Sequence, residues 1–150
     1  MQSFINNTLI TRCTTARTAG TSDSTGLMIT TCGYESATFM VTLGAVTANS
    51  DITLTVKGGD STTSTAATTL TPSATVTNTT ATTLGQGKVF ALEIVKPMQA
   101  YLWPIITIGA ANCVVGDVYC LQTGPLRDGP VTQSTAKHVY DTTIAISPTT

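Results

Sequence analysis

The residues that could act as acids, bases or nucleophiles are few and widely spaced. His138 is the single histidine, and Ser134 and Asp141 lie close to it in the sequence. A Ser-His-Asp triad built from them would need an oxyanion hole and a nucleophile held in a strained turn, and no motif for either accompanies them. A lone histidine in a polar C-terminal segment is more simply a solvated side chain, so we expect no catalytic residue here.

Two glutamates offer a second kind of chemistry, because paired carboxyl groups can cleave a glycosidic bond. Glu35 and Glu93 each lie at or within a segment with a strand pattern. A glycosidase would need the two groups within roughly 5–10 Å of each other. Charges on exposed strand faces more often discourage edge-to-edge aggregation, so we expect a protein that is not an enzyme.

Cofactor and metal sites are not indicated. Gly58-Gly59 and Gly85-Gln86-Gly87 match no nucleotide-binding fingerprint. With one histidine and no Cys-x-x-Cys pair, a zinc site would need four irregularly spaced thiolates. The cysteines in question are Cys13, Cys32, Cys113 and Cys120.

The segment from Cys113 to Gln122 has two interpretations. A hairpin turning at Gly116-Asp117 would place Cys113 opposite Cys120, where a disulfide is sterically conceivable. A single strand bulged at Gly116 is the interpretation we favour. In a regular strand these two cysteines would point to opposite faces. The sequence leaves open whether they form a bridge.

Composition favours a β-rich protein with few charges. Of the 150 residues 41% are hydrophobic but only 10% are charged, and the net charge is −1. Threonine, a β-branched strand former, makes up roughly a fifth to a quarter of the chain. The charge balance predicts neither nucleic acid nor an anionic membrane as a partner. Neither a spanning segment nor a signal peptide is evident. Burial in an assembly would keep so uncharged a surface from aggregating.

Alternating apolar residues predict several half-buried strands. The clearest are at 37–43, 52–56 and 90–94, and residues 101–108 are apolar on both faces. With turn residues every ten or so positions, this predicts an all-β protein: a single-domain sandwich, jelly-roll-like or Greek-key, with seven or eight short strands.

The two ends of the chain lack a core-forming pattern. We therefore expect an N-terminal arm over 1–25, a sandwich core over 26–124 and a C-terminal arm over 125–150. Deleting 1–12 or 131–150 should then leave the core folded. Tyr101 and Trp103 share a strand face beside Pro104, so they could form a sugar-stacking platform, an interface or part of the core. The candidate interface residues are Phe4, Ile5, Tyr101, Trp103, Arg127, Val139 and Tyr140.

Several segments resemble small structural proteins encoded beside the major capsid protein in tailed-phage genomes. They are 33–39, 88–94 and 101–107, followed by 112–118, with Gly124-Pro125-Leu126-Arg127 and Pro130-Val131. The chain departs from that group where Trp103 replaces a usual Arg, and where Gly116-Asp117 reverses a usual Asp-Gly. The resemblance covers about two thirds of the chain, through strand patterns of moderate specificity.

The resemblance implies a head decoration, or cement, protein. Such a protein is a β-sandwich that binds the capsid exterior, often as a trimer. The expected partners are then the major capsid protein and copies of this chain in a homotrimer, on a virion whose parts are made in the host cytoplasm. The alternative is a carbohydrate- or receptor-binding module of a phage tail or fibre, with Tyr101 and Trp103 as its platform.

Overall fold

The part of the chain that the structure describes folds mostly as β-strands. A computed structural model describes residues 4–46, 50–78, 87–109 and 112–126. Within these ranges there are a short helix, a 3₁₀ turn (Ser64–Ala66) and ten strands: α1 (Phe4–Asn7), β1 (Thr8–Thr14), β2 (Arg17–Gly20), β3 (Ser24–Thr25), β4 (Ile29–Thr30), β5 (Tyr34–Val46), β6 (Ser50–Gly59), β7 (Thr68–Asn78), β8 (Val89–Val95), β9 (Tyr101–Ile108) and β10 (Cys113–Pro125).

The strands form two antiparallel sheets. The first has the order β1-β10-β5-β8, and β2 also pairs with β10. The second has the order β3-β9-β6-β7, and β4 also pairs with β9. The sheets pack against each other, so the predicted all-β sandwich is confirmed, with ten strands rather than seven or eight.

The core lies between the sheets and follows the alternation in the sequence. Phe39 and Val41 point inward from β5, while Ile52, Leu54 and Val56 do so from β6, and all five are almost completely buried. Successive side chains on a strand point to opposite faces, so Thr53 and Thr55, which alternate with the core residues of β6, face outward. Each sheet therefore buries its apolar face against the other.

The segment from Cys113 onward is one strand, as favoured from the sequence. β10 pairs with β5 throughout, and the pairing slips between Val115 and Val118. A side chain on Gly116 would overlap the hydroxyl of Thr42 and crowd its backbone carbonyl, so glycine lets the two strands approach closely at this irregularity. The slip changes the phase of the strand, and Cys113 and Cys120 are both buried as free thiols. The expectation that Cys113 and Cys120 point to opposite faces holds only for a regular strand, and β10 is irregular between them.

The predicted N-terminal arm is wrong for residues 8–25. β1 and β2 pair with β10, and β3 pairs with β9. Thr8, Thr11 and Cys13 on β1 are buried, although none is a large apolar residue. Thr11 and Cys13 face the core with small side chains, whereas Thr8 lies opposite Thr123 on the outer face of the sheet, so the segment shows no strong core pattern. Deleting 1–12 would remove most of β1 and would not leave the sandwich intact.

The C-terminal arm lies largely outside the described residues, which end at Leu126. Pro125, assigned to this arm, is instead the last residue of β10 and pairs with Tyr34. The Leu126 backbone N–H then donates to the carbonyl of Gly33.

A buried polar side chain joins the two sheets. Gln122 on β10 is 2% exposed, and its Nε2 donates to the backbone carbonyl of Thr30 on β4 over 2.7 Å. Two aspartates accept hydrogen bonds from backbone N–H groups at the ends of β9. Asp23 accepts from the N–H of Ile108 and Asp60 accepts from the N–H of Ala100, each over 3.0 Å. The few charges present are thus used partly to satisfy backbone donors at strand ends.

We expect Gln122→Met to lower the free energy of unfolding by about 1–3 kcal/mol. Methionine has a similar size but cannot donate to Thr30, whose carbonyl would lose its partner between the sheets. Urea denaturation measures the loss. Thr107→Val, at an exposed position on β9, is the control and should stay within about 0.5 kcal/mol of the wild type. Equal stability of both variants would contradict the bridging role of Gln122.

Candidate interaction surface

The outer face of the first sheet carries an apolar patch, although this face is turned away from the core. Met40 on β5 lies opposite Tyr119 on β10 and opposite Ala91 on β8, while Leu121 on β10 lies opposite Ile10 on β1. Residues directly opposite each other in a ladder share a face, as do residues two apart on a strand. Side chains from four neighbouring strands therefore meet on one surface.

These side chains enclose a groove of about 300 Å³. We call it the outer groove. Val89 stands at its rim with 53% of its surface exposed. Among the described residues that line the groove, Asp117 is the one charged group, and most of the others are apolar. The lining residues are Ile10, Met40, Val41, Thr42, Val89, Asp117, Tyr119 and Leu121.

Hydrogen bonds hold the polar end of the outer groove in place. The Tyr119 hydroxyl donates to Asp117 Oδ2 over 3.1 Å, and Asp117 Oδ1 accepts from the backbone N–H of Ala16 over 2.6 Å. Burial raises the pKa of Tyr119, as do the hydrogen bond from its hydroxyl and the negative charge of Asp117, while Arg12 acts in the opposite direction. Tyr119 therefore remains a neutral phenol around neutral pH. The groove combines apolar contact with a fixed polar end, which suits binding.

The predicted interface residues are scattered. Phe4 on α1 is 58% exposed, and Tyr101 on β9 is partly exposed. Ile5 lies in α1, but its side chain is not described. The other candidates, Arg127, Val139 and Tyr140, lie outside the described residues, as do the triad candidates Ser134, His138 and Asp141.

Of the interpretations left open for Trp103, a ring offered to a sugar or a partner is the one the structure does not favour, because the chain itself covers the ring. Trp103 is only 4% exposed, although it points away from the core on β9. A Cβ atom placed on Gly59 would lie 3.8 Å from the indole ring of Trp103 and 3.3 Å from Ala67. The indole thus lies beside Gly59 on β6. Tyr101 stays beside it, with ring centroids 6.2 Å apart and planes tilted by 49°.

The two glutamates do not form a catalytic pair. Glu93 on β8 pairs with Thr38 on β5, and Glu35 stands three residues before Thr38 in a regularly paired stretch. An odd separation places Glu35 and Glu93 on opposite faces of the sheet. Carboxyl groups so placed cannot flank one glycosidic bond.

Two other kinds of site are absent from the described part of the chain. No three His, Cys, Asp or Glu side chains there come together as metal ligands. No helix in those same ranges is long and apolar enough to cross a membrane.

The outer groove was missed from the sequence, although a signal for it was present. Met40, Val89 and Leu121 are apolar residues at positions that alternate with core positions, where polar residues are expected. What the sequence could not indicate is that their strands are neighbours. Ile10 was further hidden because its segment was assigned to an arm.

We expect Trp103→Ala to lower the free energy of unfolding by about 3 kcal/mol, because it empties a space that the chain encloses. Tyr101→Ala is the matched control on the same strand face and should cost less, since Tyr101 is partly exposed. Urea denaturation compares the two. A Trp103 variant as stable as the wild type would show that the ring does not support the fold.

No family model matches the sequence, and no curated protein is significantly similar to it. The fold and the outer groove are therefore the observations from which function has to be inferred.

Proposed function

We propose that this chain is a structural virion protein of a tailed phage, which decorates the capsid exterior and clamps adjacent major capsid protein subunits. The observation on which the proposal rests is the outer groove, an apolar surface on a face that a solitary sandwich would cover with polar residues. In this proposal the groove binds by shape and apolar contact, and the protein has a structural rather than an enzymatic role.

The groove is rigid, which favours binding to a large, preformed particle. Its walls come from four strands, and the central two, β5 and β10, are each paired on both sides. Side chains on such a sheet lose little further freedom when a partner docks, so less of the contact energy is spent on ordering.

A shell with many identical sites tolerates weak individual contacts. A volume of about 300 Å³ is a small recess, and one such contact gives modest affinity. Linked copies gain avidity without any new type of contact. The resemblance to phage decoration proteins supports a homotrimer as the linked unit and the virion exterior as its location, after synthesis in the host cytoplasm.

The rival proposal of a carbohydrate- or receptor-binding module is disfavoured. It relied on Tyr101 and Trp103 as a stacking platform, and a sugar can stack only on an accessible ring face. Because Trp103 is covered by its own chain, Tyr101 would have to act alone.

We expect Val89→Lys to weaken binding to the capsid about tenfold or more. Val89 is exposed at the rim of the outer groove, so the substitution leaves the core alone. In a docked state the new ammonium group would have to be desolvated against apolar side chains or hold the surfaces apart. Co-sedimentation with empty heads that lack a decoration protein measures the affinity.

Val95→Lys is the matched control. Val95 lies on the same outward-facing side of β8, six residues further on, and is 64% exposed, but it does not line the groove. It should bind nearly as well as the wild type. Equal binding by all three proteins would refute the groove as the docking surface, and no co-sedimentation of the wild type would refute the capsid as the partner.

A further inference from the structure

Cys13 and Cys120 lie next to each other on paired strands. In the ladder between β1 and β10, Thr11 is opposite Cys120 and Arg12 is opposite Tyr119, but Thr14 is then opposite Val118. Cys13 is therefore the extra residue of a β-bulge, and its side chain is 2% exposed while that of Cys120 is 0% exposed. Both belong to the apolar core.

The bulge turns the Cys13 thiol back towards Cys120. Its Sγ lies 3.8 Å from the backbone carbonyl of Thr11, the residue directly opposite Cys120. A hydrogen bond with Cys13, and then burial, raise the pKa of the Cys120 thiol far above its usual range. The two thiols are thus hydrogen-bonded neighbours in the core beside the β1–β10 pair.

The other two cysteines are placed differently. Cys32 is exposed in the turn before β5. Cys113 is buried, but its thiol donates to the carbonyl of Val114 over 3.4 Å and lies near the guanidinium of Arg17. It stands on the far side of the Gly116 irregularity from Cys120. Contact with a second thiol therefore distinguishes Cys13 and Cys120.

We propose that Cys13 and Cys120 are a latent disulfide pair, which a small-molecule disulfide oxidises to a bridge between β1 and β10. The sequence left open whether Cys113 and Cys120 form a bridge. We propose instead that Cys120 pairs with Cys13, a residue that the sequence assigned to the N-terminal arm. This inference is independent of the capsid as a partner.

The reaction proceeds in two exchanges. The Cys13 thiolate attacks one sulfur of the small-molecule disulfide, forming a mixed disulfide and releasing one thiolate. The Cys120 thiolate then attacks the Cys13 sulfur, forming the protein disulfide and releasing a second thiolate. The two protons of the protein thiols end on the two released thiols, and the small-molecule disulfide is reduced as the protein is oxidised.

The fold sets the order and the rate of these steps. β1 is an edge strand that pairs with β10 in the first sheet, and the Cys13 carbonyl accepts from the backbone N–H of Leu27 over 2.9 Å. Local opening of this end of β1 breaks that bond and exposes Cys13 without separating the other strands. Cys120 lies on the strand paired on both sides and resolves the mixed disulfide when β1 closes again. The raised pKa of Cys120 keeps its thiolate form scarce. Oxidation is therefore slow and becomes faster as the pH rises.

The test uses the full chain with Cys32→Ser, which removes the exposed thiol and leaves the buried ones in place. The reduced protein is incubated with glutathione disulfide and then mapped by non-reducing proteolysis and mass spectrometry. We expect one disulfide, between Cys13 and Cys120, with Cys113 free. Because the bridge closes a loop of most of the chain, the thermal midpoint should rise by roughly 5–15 °C over the reduced form.

Two further variants test whether Cys13 and Cys120 alone account for the bridge. Adding Cys113→Ser should leave the bridge and the shift in midpoint unchanged, whereas adding Cys13→Ser should abolish both. If the Cys13 variant does not fold, the peptide map of the parent still decides the question. Three free thiols, a bridge to Cys113, or only a stable mixed disulfide with glutathione after prolonged incubation would each overturn the proposal.

Discussion

The burial of two apolar sheet faces against each other is the interaction on which the rest of the structure depends. With 10% charged residues, the chain has few ion pairs to draw on, and its stability comes from inward-facing side chains such as Phe39 and Leu54. The hydrogen bond from Gln122 fixes how the two sheets are aligned, because its buried amide reaches its acceptor only when the sheets are correctly placed.

The same constraint explains why the outer face of the first sheet is informative. A sandwich needs one apolar face per sheet, and the second face is free to be polar. Met40, Leu121 and Val89 break that rule on neighbouring strands, without any benefit to the core. Residues that depart from local consistency tend to mark functional sites. The docking surface that we propose would account for them, and charge-poor surfaces are suited to burial in an assembly.

The sequence was sufficient for the fold class, because period-two alternation at 37–43, 52–56 and 90–94 directly marks the inner faces. It was insufficient for β1, where Thr11 and Cys13 face the core with small side chains. It also failed for Trp103, whose ring lies beside Gly59 on β6, a neighbouring strand that is far away in the sequence. These features depend on which strands are neighbours in the sheets, and so does the contact of Cys13 with Cys120. A single sequence does not show which strands are neighbours.

The most direct test of the account is an electron cryomicroscopy map of empty heads incubated with the purified protein. The account predicts density for the sandwich on the shell exterior, oriented so that the outer groove of the first sheet contacts capsid subunits on both sides of a seam. Bound protein with that groove open to solvent, or its rim turned away from the shell, would contradict it.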